Sequence, residues 1–247
     1  MTAQQILILS NYLSQSFRNN VSILEVKNFK VKWCKENSII SEIMRSQLND
    51  YLKAPILDIG AGLGDIAFNV FPNKVATLLD INEVTVKDYP LSINHTRITS
   101  DFFDYKPNQK FNTLLISHSL QFIDEDIYML NSKIEKFDAK YILLVINDNF
   151  GFMKELLNWV NEKVDSSNPE IDIEGFPHNY SLEKKINFSA TLACPTYELL
   201  AEQISYLMVV DYKTVKSELV SFLKERLKEP SFPINQSIKV FIRNGNK

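Results

Sequence analysis

Residues 55–64 read Pro55-Ile56-Leu57-Asp58-Ile59-Gly60-Ala61-Gly62-Leu63-Gly64. The apolar run at the start predicts a short strand, and the residues from Leu63 to Phe71 predict a helix that ends before Pro72. Three of the 6 glycines of the chain lie between this strand and this helix. Glycine lets the backbone turn sharply and approach a ligand closely, and a helix start exposes N–H groups that favour a carboxylate or a phosphate. This stretch therefore predicts a ligand-binding turn.

Strands and helices continue to alternate after this turn. Further strands are predicted at residues 74–80, 95–98, 112–117, 140–147, 186–192 and 237–242, the last at or near an edge of the sheet. Near-continuous apolar runs joined by helices are typical of a parallel sheet that is covered on both faces. The sequence predicts an α/β fold with a Rossmann-like, doubly wound, mostly parallel sheet of seven strands.

Two further segments are set apart from this alternation. Residues 1–53 repeat apolar side chains at a spacing of four, such as Leu9 and Leu13, and predict an N-terminal helical lid. Residues 54–247 are expected to form the main domain. Within that domain, residues 151–185 interrupt the alternation, and we expect an insertion over the carboxyl edge of the sheet, where open α/β folds bind their ligands.

Composition and charge exclude several classes of protein. The chain has 247 residues, of which 45% are hydrophobic, enough for one sizeable core. Its 27 basic and 30 acidic residues give a net charge of −3, which argues against broad binding to a nucleic-acid backbone but leaves room for a local basic patch. No apolar stretch approaches the roughly 20 residues that span a bilayer, and residues 6–9 are too short for a signal core. We therefore expect a soluble, cytoplasmic protein without a membrane partner.

Cysteine and histidine are scarce. Cys34 and Cys194 are the 2 cysteines, neither belongs to a CxxC pair, and the chain has 3 histidines. A disulfide framework and a structural zinc site are therefore not expected, and no metal is predicted. Cys194 is interpreted as a buried, unreactive thiol.

Acidic residues follow three of the predicted strands. Asp58 precedes the first glycine of the turn by two positions, Asp80 ends the next strand, and Asp101 follows the third strand. A carboxylate at the position of Asp80 can accept two hydrogen bonds from a ribose diol. A dinucleotide fold of the GxGxxG type requires a third glycine where this chain has Asp65, so an NAD-linked oxidoreductase is disfavoured, although Asp80 alone fits it.

The pattern Asp58-x-Gly60-x-Gly62-x-Gly64, followed by Asp80 and by Asp101-Phe102, resembles the class I S-adenosylmethionine-dependent methyltransferases over residues 50–147. This resemblance implies S-adenosylmethionine as the cofactor. It implies that Asp58, Gly60 and Gly62 hold the methionine end and that Asp80 holds the ribose. It places the adenine amino group on Asp101 with Phe102 packed against the ring, and it adds Ile81 and Ser117 to the cofactor site. The alternative is a turn that serves only helix–sheet packing, with the acids as ordinary caps.

A second, wider resemblance concerns the acceptor of the methyl group. Residues 118–123 and 145–151, after the fourth and fifth strands, look like the histamine N-methyltransferase-like group, which implies a small-molecule acceptor but not histamine. The [N/D]PP[Y/F] motif of base and glutamine N-methyltransferases is replaced by Ser117-His118-Ser119-Leu120. The nucleophilic cysteine of the cytosine C5 enzymes is also missing from this place.

Five residues are candidates for the acceptor site. His118 follows a central strand and is the first candidate for a general base, with a pocket-lining or capping role as the alternative. Asn147 contacts the acceptor or the methionine, or else caps the following helix. Trp33 and Tyr12 form an aromatic lid or belong to the core. His178 in the insertion faces the acceptor or lies in a solvated loop.

The sequence therefore predicts an enzyme that transfers a methyl group by in-line displacement to a nitrogen or oxygen of a small molecule. Catalysis by such an enzyme depends mainly on holding the acceptor close and excluding water. The alternatives are a non-catalytic scaffold that keeps the fold, and a methyltransferase that acts on protein or nucleic acid. The oligomeric state stays open.

Overall fold

The computed structural model describes residues 34–83, 92–120, 127–148, 150–164, 176–208 and 212–245. Seven strands form one sheet. They are β1 (Ile56–Ile59), β2 (Ala76–Asp80), β3 (His95–Thr99), β4 (Thr113–Ser117), β5 (Tyr141–Asn147), β6 (Tyr180–Ala193) and β7 (Ser231–Arg243).

The order of the strands across the sheet is β3-β2-β1-β4-β5-β7-β6. Neighbours from β3 to β5 pair in parallel, whereas β7 pairs with β5 in the antiparallel sense, with Tyr141 opposite Ile242 and Asn147 opposite Gln236. The strand order reverses direction between β1 and β4, which is the place where open α/β sheets bind ligands. The carboxyl ends of β1 to β5 therefore meet at one edge of the sheet, which we call the carboxyl edge.

Helices cover both faces of the parallel strands. On one face, α1 (Glu36–Gln47) and α2 (Asp65–Val70) contribute Ile40, Met44 and Ile66 to a core that includes Leu78 and Leu115 of the strands. On the other face, α3 (Ile127–Glu135) contributes Leu130 and Ile134 to a second core. Because successive side chains of a strand point to opposite faces, strands buried on both sides read as continuous apolar runs, which is why they were visible in the sequence.

The described residues divide into two compact units. One unit holds β1 to β5 with α1 to α3, the first part of β6 and the last part of β7. The other holds α4 (Phe152–Val164), α5 (Tyr197–Met208), α6 (Tyr212–Arg226) and the remaining parts of β6 and β7. Within this second unit, Phe222 stacks on Phe152 and Trp159, with ring centroids 6.1 and 5.1 Å apart.

The predicted fold class is confirmed: the sheet has seven strands, is mostly parallel, and has helices on both faces. The bounds of β6 and β7 differ from prediction, because both strands are longer than the apolar segments at 186–192 and 237–242. β7 lies next to the edge strand β6, which agrees with the predicted position at or near an edge. None of the described helices is both long enough and apolar enough to cross a membrane.

Of the predicted N-terminal lid, residues 1–33 lie outside the described residues, and α1 lies inside. Of the predicted insertion at 151–185, the structure describes α4 and the start of β6, whereas residues 165–175 lie outside the described residues. The roles of both segments in covering a ligand stay predictions.

Candidate active site

The carboxyl edge brings together most of the predicted site residues. Asp58 and Gly60 come from the end of β1, and Asp80 and Ile81 from the end of β2. The ends of the next three strands contribute Asp101, Ser117 with His118, and Asn147. Positions up to 89 residues apart in the sequence, Asp58 and Asn147, therefore share one edge because their strands run in parallel.

The three glycines of the turn have left-handed backbones, with φ of 68° at Gly60, 55° at Gly62 and 84° at Gly64. A Cβ atom at Gly60 would lie 2.4 Å from Cβ of Ser119, and one at Gly64 would lie 3.2 Å from Nη2 of Arg97. At Gly62, by contrast, no atom of the described residues lies within 4 Å of that position. Gly60 and Gly64 are therefore required by packing inside the protein, whereas Gly62 faces space that a ligand can fill.

The carboxylate of Asp80 organises the turns around it. One of its oxygens, Oδ2, accepts a hydrogen bond of 2.7 Å from the backbone N–H of Gly62. The other, Oδ1, accepts bonds from the backbone N–H and the side-chain amide of Asn82, at 2.9 and 3.1 Å. Ile81, between these residues, is 44% exposed and offers an apolar surface at the same edge.

Asp58 is 3% exposed beneath the glycine turn. Its burial, together with the negative charge of Asp80, raises the pKa of its carboxyl group from 3.8 to about 7, while the guanidinium of Arg97 opposes the rise. A cationic ligand bound beside Asp58 would lower the pKa of its carboxyl group again, because a positive charge nearby favours the ionised form.

Asp101 shapes the turn after β3, since its Oδ1 accepts a hydrogen bond of 2.7 Å from the backbone N–H of Phe103. The ring of Phe102 lies in the core, where it stacks on Phe137 with centroids 5.8 Å apart and is 8% exposed. Phe103 is partly buried and meets Phe102 edge to face. Little of the Phe102 ring is thus available to an adenine in this conformation, and its contact with the base stays a prediction.

The segment after β4 packs tightly against β1. His118 is buried and has a φ of 52°, and its backbone N–H donates to the carbonyl of Val145 over 3.1 Å. Ser119 Oγ donates a bond of 2.7 Å to the carbonyl of Ile59. A left-handed histidine is uncommon and costs of order 1 kcal/mol, so the fold holds His118 at the carboxyl edge against a local preference.

Asn147, at the end of β5, accepts a hydrogen bond of 3.1 Å at its Oδ1 from Nε2 of Gln236 on β7. With this oxygen engaged, the side-chain N–H groups of Asn147 are the donors left for a ligand. Sequence reasoning did not identify Gln236, which lies in a strand whose polar residues give no site pattern.

The structure does not bring His178 to this site. His178 Nδ1 lies 3.0 Å from Oε1 of Glu135 at the end of α3, and its backbone N–H donates to Asn131. The adjacent Asn179 accepts a bond from Asn244, just beyond the end of β7 that pairs with the start of β5. These contacts place His178 at the amino edge of the parallel strands, opposite the predicted acceptor site. Its predicted contact with the acceptor does not fit this position. Trp33 and Tyr12 lie outside the described residues.

Two cations that the sequence did not single out bind the turns of the site. Arg97 of β3 donates from Nη1 to the carbonyl of Gly62 and from Nη2 to that of Leu63, over 2.6 and 2.8 Å. Lys133 of α3 donates to the carbonyls of Phe103 and Tyr105, each over 2.7 Å. Because their partners are backbone atoms far away in the sequence, no pattern of residues predicts these contacts.

No protein-family model matches the chain. A DNA ligase of Mycoplasmopsis synoviae (strain 53) is 31% identical in an alignment of 138 residues that covers 53% of this chain and 18% of the ligase. The chain thus spans less than a fifth of the length of this relative, and the match does not show a family.

Solved structures resemble the chain over most of its length. The plantazolicin methyltransferase BpumL in complex with SAH has a TM-score of 0.53 and 15% identity, with 98% of each chain covered. The MccD protein has a TM-score of 0.52 and 15% identity, covering 85% of this chain and 97% of MccD. The N-methyltransferase NodS from Bradyrhizobium japonicum WM9 has a TM-score of 0.51 and 10% identity, covering 85% of this chain and 96% of NodS.

At these identities the similarity is one of fold. The narrower resemblance to the histamine N-methyltransferase-like group stays a prediction. The chain has the Rossmann-like fold of the class I methyltransferases, with the antiparallel β7 inserted between β5 and β6.

Proposed function

We propose that this protein transfers a methyl group from S-adenosylmethionine to a small-molecule acceptor. The observation that supports this most strongly is the arrangement of Asp58, Asp80 and Asp101 at the ends of three neighbouring strands, around a glycine turn that is open at Gly62. This arrangement suits a ligand that has an ammonium group, a ribose diol and an adenine amino group.

The residues present fit the cofactor in a definite order. Asp58 receives the ammonium group of the methionine end beside Gly60 and Gly62, and Asp80 receives the ribose hydroxyls. Asp101 receives the adenine amino group, while exposed Ile81 packs on the base and Phe102 supports the turn from the core. Ser117 completes the site from the end of β4.

When bound, the sulfonium cofactor supplies an already activated methyl group. What the chain must do is orient the acceptor and exclude water. His118 is the proposed general base at the carboxyl end of β4, and the N–H groups of Asn147 orient the acceptor or the methionine carboxylate. The N-terminal lid at 1–53, with Trp33 and Tyr12, and the part of the insertion that precedes residue 176 are proposed to close the acceptor side.

A small acceptor is favoured by the net charge of −3, which gives no general attraction for nucleic acid. Two similar structures are described as a plantazolicin methyltransferase and as an N-methyltransferase, which agrees with transfer to nitrogen or oxygen. A methyltransferase acting on protein or nucleic acid and a non-catalytic cofactor-binding scaffold are the alternatives.

Calorimetric titration with S-adenosylmethionine, S-adenosylhomocysteine and NAD tests the cofactor. We expect micromolar binding of the two sulfur compounds and no heat from NAD. Asp80→Ala should weaken S-adenosylhomocysteine binding by about 1.5–3 kcal/mol, the usual contribution of hydrogen bonds to a charged group.

Asp50→Ala is the matched control for this titration, because that side chain is 95% exposed and precedes β1 at the opposite edge. Its affinity should equal that of the wild-type protein. If neither sulfur compound bound to the wild-type protein, the glycine turn would serve only helix–sheet packing. That result would favour the non-catalytic scaffold. An unchanged affinity in Asp80→Ala would remove Asp80 from the ribose site.

His118→Asn tests the proposed base. Asparagine adopts a left-handed backbone readily, so it keeps the conformation at φ 52° while removing the imidazole. With an acceptor found by screening amines, phenols and acids, we expect turnover to fall by roughly 10²–10⁴-fold and the affinity for S-adenosylhomocysteine to stay within a factor of three. Equal turnover would show that His118 only lines the pocket.

A further inference from the structure

Arg97 lies on the edge strand β3, but its guanidinium binds the glycine turn that follows β1, two strands away. It lies on β3 opposite Leu78 of β2, and its guanidinium reaches past Leu78 to the glycine turn. There the two Nη atoms donate to the carbonyl oxygens of two consecutive residues, Gly62 and Leu63. A planar guanidinium holds two such acceptors in a fixed relative orientation, which a single ammonium group cannot do.

The third glycine of the turn makes room for this contact. A Cβ atom at Gly64 would lie 3.2 Å from Nη2 of Arg97 and 3.0 Å from Cδ1 of Leu78. Both distances are shorter than ordinary van der Waals contact, so a side chain at position 64 would displace the guanidinium. The missing side chain at Gly64 therefore leaves room for the Arg97 guanidinium, whereas Gly62 faces the space assigned to the ligand.

The glycine that accepts a bond from Arg97 also binds Asp80, through the preceding peptide unit. With its carbonyl bound to Arg97, Gly62 presents its backbone N–H to Oδ2 of Asp80 over 2.7 Å. The same guanidinium acts electrostatically on both buried acids of the site, since Asp58 and Asp80 are its charged neighbours. Arg97 thus links the conformation of the turn to the orientation of the carboxylate that ends β2.

We infer that Arg97 is a positioning residue for the cofactor: it holds the Gly62–Leu63 segment, and through it the Asp80 carboxylate, in the binding conformation. This inference rests on the proposed function. Arg97 acts through the turn and not by direct contact with the ligand, because the atoms that face the turn are already bound to its two carbonyls.

Calorimetric titration with S-adenosylhomocysteine tests the inference on five variants of the full chain. Arg97→Met should weaken binding at least tenfold, because the two carbonyls lose their partner. The affinity of Arg97→Lys should lie between that of Arg97→Met and that of the wild-type protein. Lysine keeps the positive charge but does not offer two N–H donors in one fixed plane. Lys74→Met is the matched control: Lys74 also binds two oxygens, those of Asn49 and Leu52, but precedes β2 at the amino edge. Its affinity should stay within twofold of the wild-type value.

A double-mutant cycle separates positioning from general support of the fold. The fourth and fifth variants are Asp80→Ala and the double variant that combines it with Arg97→Met. Compared with Asp80→Ala alone, the double variant should bind less than threefold more weakly, because the carboxylate that Arg97 positions is already gone. Equal losses in both backgrounds would show that Arg97 does not act through Asp80 and would overturn the inference.

Each remaining outcome is decisive. If Arg97→Met binds within twofold of the wild-type protein, Arg97 does not position the turn, although the proposed function stands. If Arg97→Met does not fold, Arg97→Lys decides, and wild-type affinity in that variant overturns the inference. If the wild-type protein itself does not bind S-adenosylhomocysteine, the proposed function fails and this inference fails with it.

Discussion

Asp58→Asn is expected to make the free protein more stable at pH 8 by about 2–4 kcal/mol, and at the same time to weaken its binding of S-adenosylhomocysteine. Asp58 is buried beside Asp80, and its pKa is raised from 3.8 to about 7. At pH 8 the wild-type protein therefore folds with an ionised carboxylate in a place that disfavours the charge. Asparagine has nearly the same shape without the charge.

The direction in which stability changes with pH follows from the number of protons that the folded and unfolded chains bind. Between pH 4 and pH 7 the folded protein holds a proton on Asp58 that the unfolded chain has released, so stability falls as the pH rises through this window. The stabilisation is fully present below pH 4 and is lost above pH 7. A shift from 3.8 to about 7 corresponds to about 4 kcal/mol, at 1.36 kcal/mol per pKa unit, as an upper limit.

Urea unfolding at several pH values between 4 and 9 measures this effect. The difference in unfolding free energy between Asp58→Asn and the wild-type protein should grow from pH 4 to pH 7 and then level off. Asp50→Asn, with its side chain 95% exposed, should give a constant difference over the same range. A difference for Asp58→Asn that does not vary with pH would show that the carboxyl group is not buried as described.

Gly60→Ala is expected to destabilise the protein by about 2–5 kcal/mol. The new methyl group would lie 2.4 Å from Cβ of Ser119, a distance that real structures do not tolerate. Ser119 cannot easily move away, since its hydroxyl is bound to the carbonyl of Ile59. Overpacking contributes about 1–3 kcal/mol and the left-handed backbone about 1–2 kcal/mol.

Gly62→Ala is the matched comparison, because it changes the same turn without meeting a described atom within 4 Å. Only the backbone cost of about 1–2 kcal/mol should appear in its chemical denaturation. Ser119→Gly should restore much of the stability lost in Gly60→Ala, since it removes the atom with which the methyl group collides. Equal midpoints for Gly60→Ala and the wild-type protein would contradict the packing of the turn.

The parallel part of the fold was predictable from the sequence for a physical reason. Strands buried on both faces must be apolar at nearly every position, and the segments at 55–59, 74–80 and 112–117 meet that demand. β6 was predicted too short, because Glu183, Lys184 and Lys185 belong to an edge strand with one exposed face and interrupt the apolar run.

The site was predictable to the extent that it depends on strand ends. Asp58 and Asp80 lie at the ends of buried strands and Asp101 follows the next strand, and parallel strands bring their ends to one edge. Arg97 was not predictable, because its partners are carbonyl oxygens 34 and 35 residues away. His178 was predicted at the wrong edge because the sequence does not indicate at which edge of the sheet β6 begins.

The hydrogen bonds of Asp80 have a consequence for the act of binding. A carboxylate offers about four lone-pair positions, and three bonds already come from Gly62 and Asn82. In the proposed site Arg97 keeps the bond from Gly62 in place, so a ribose diol that donates two bonds to this carboxylate must displace one of the two bonds from Asn82. On the proposed function, cofactor binding is then an exchange of partners instead of a simple addition, and the turn after β2 rearranges each time the ligand arrives or leaves.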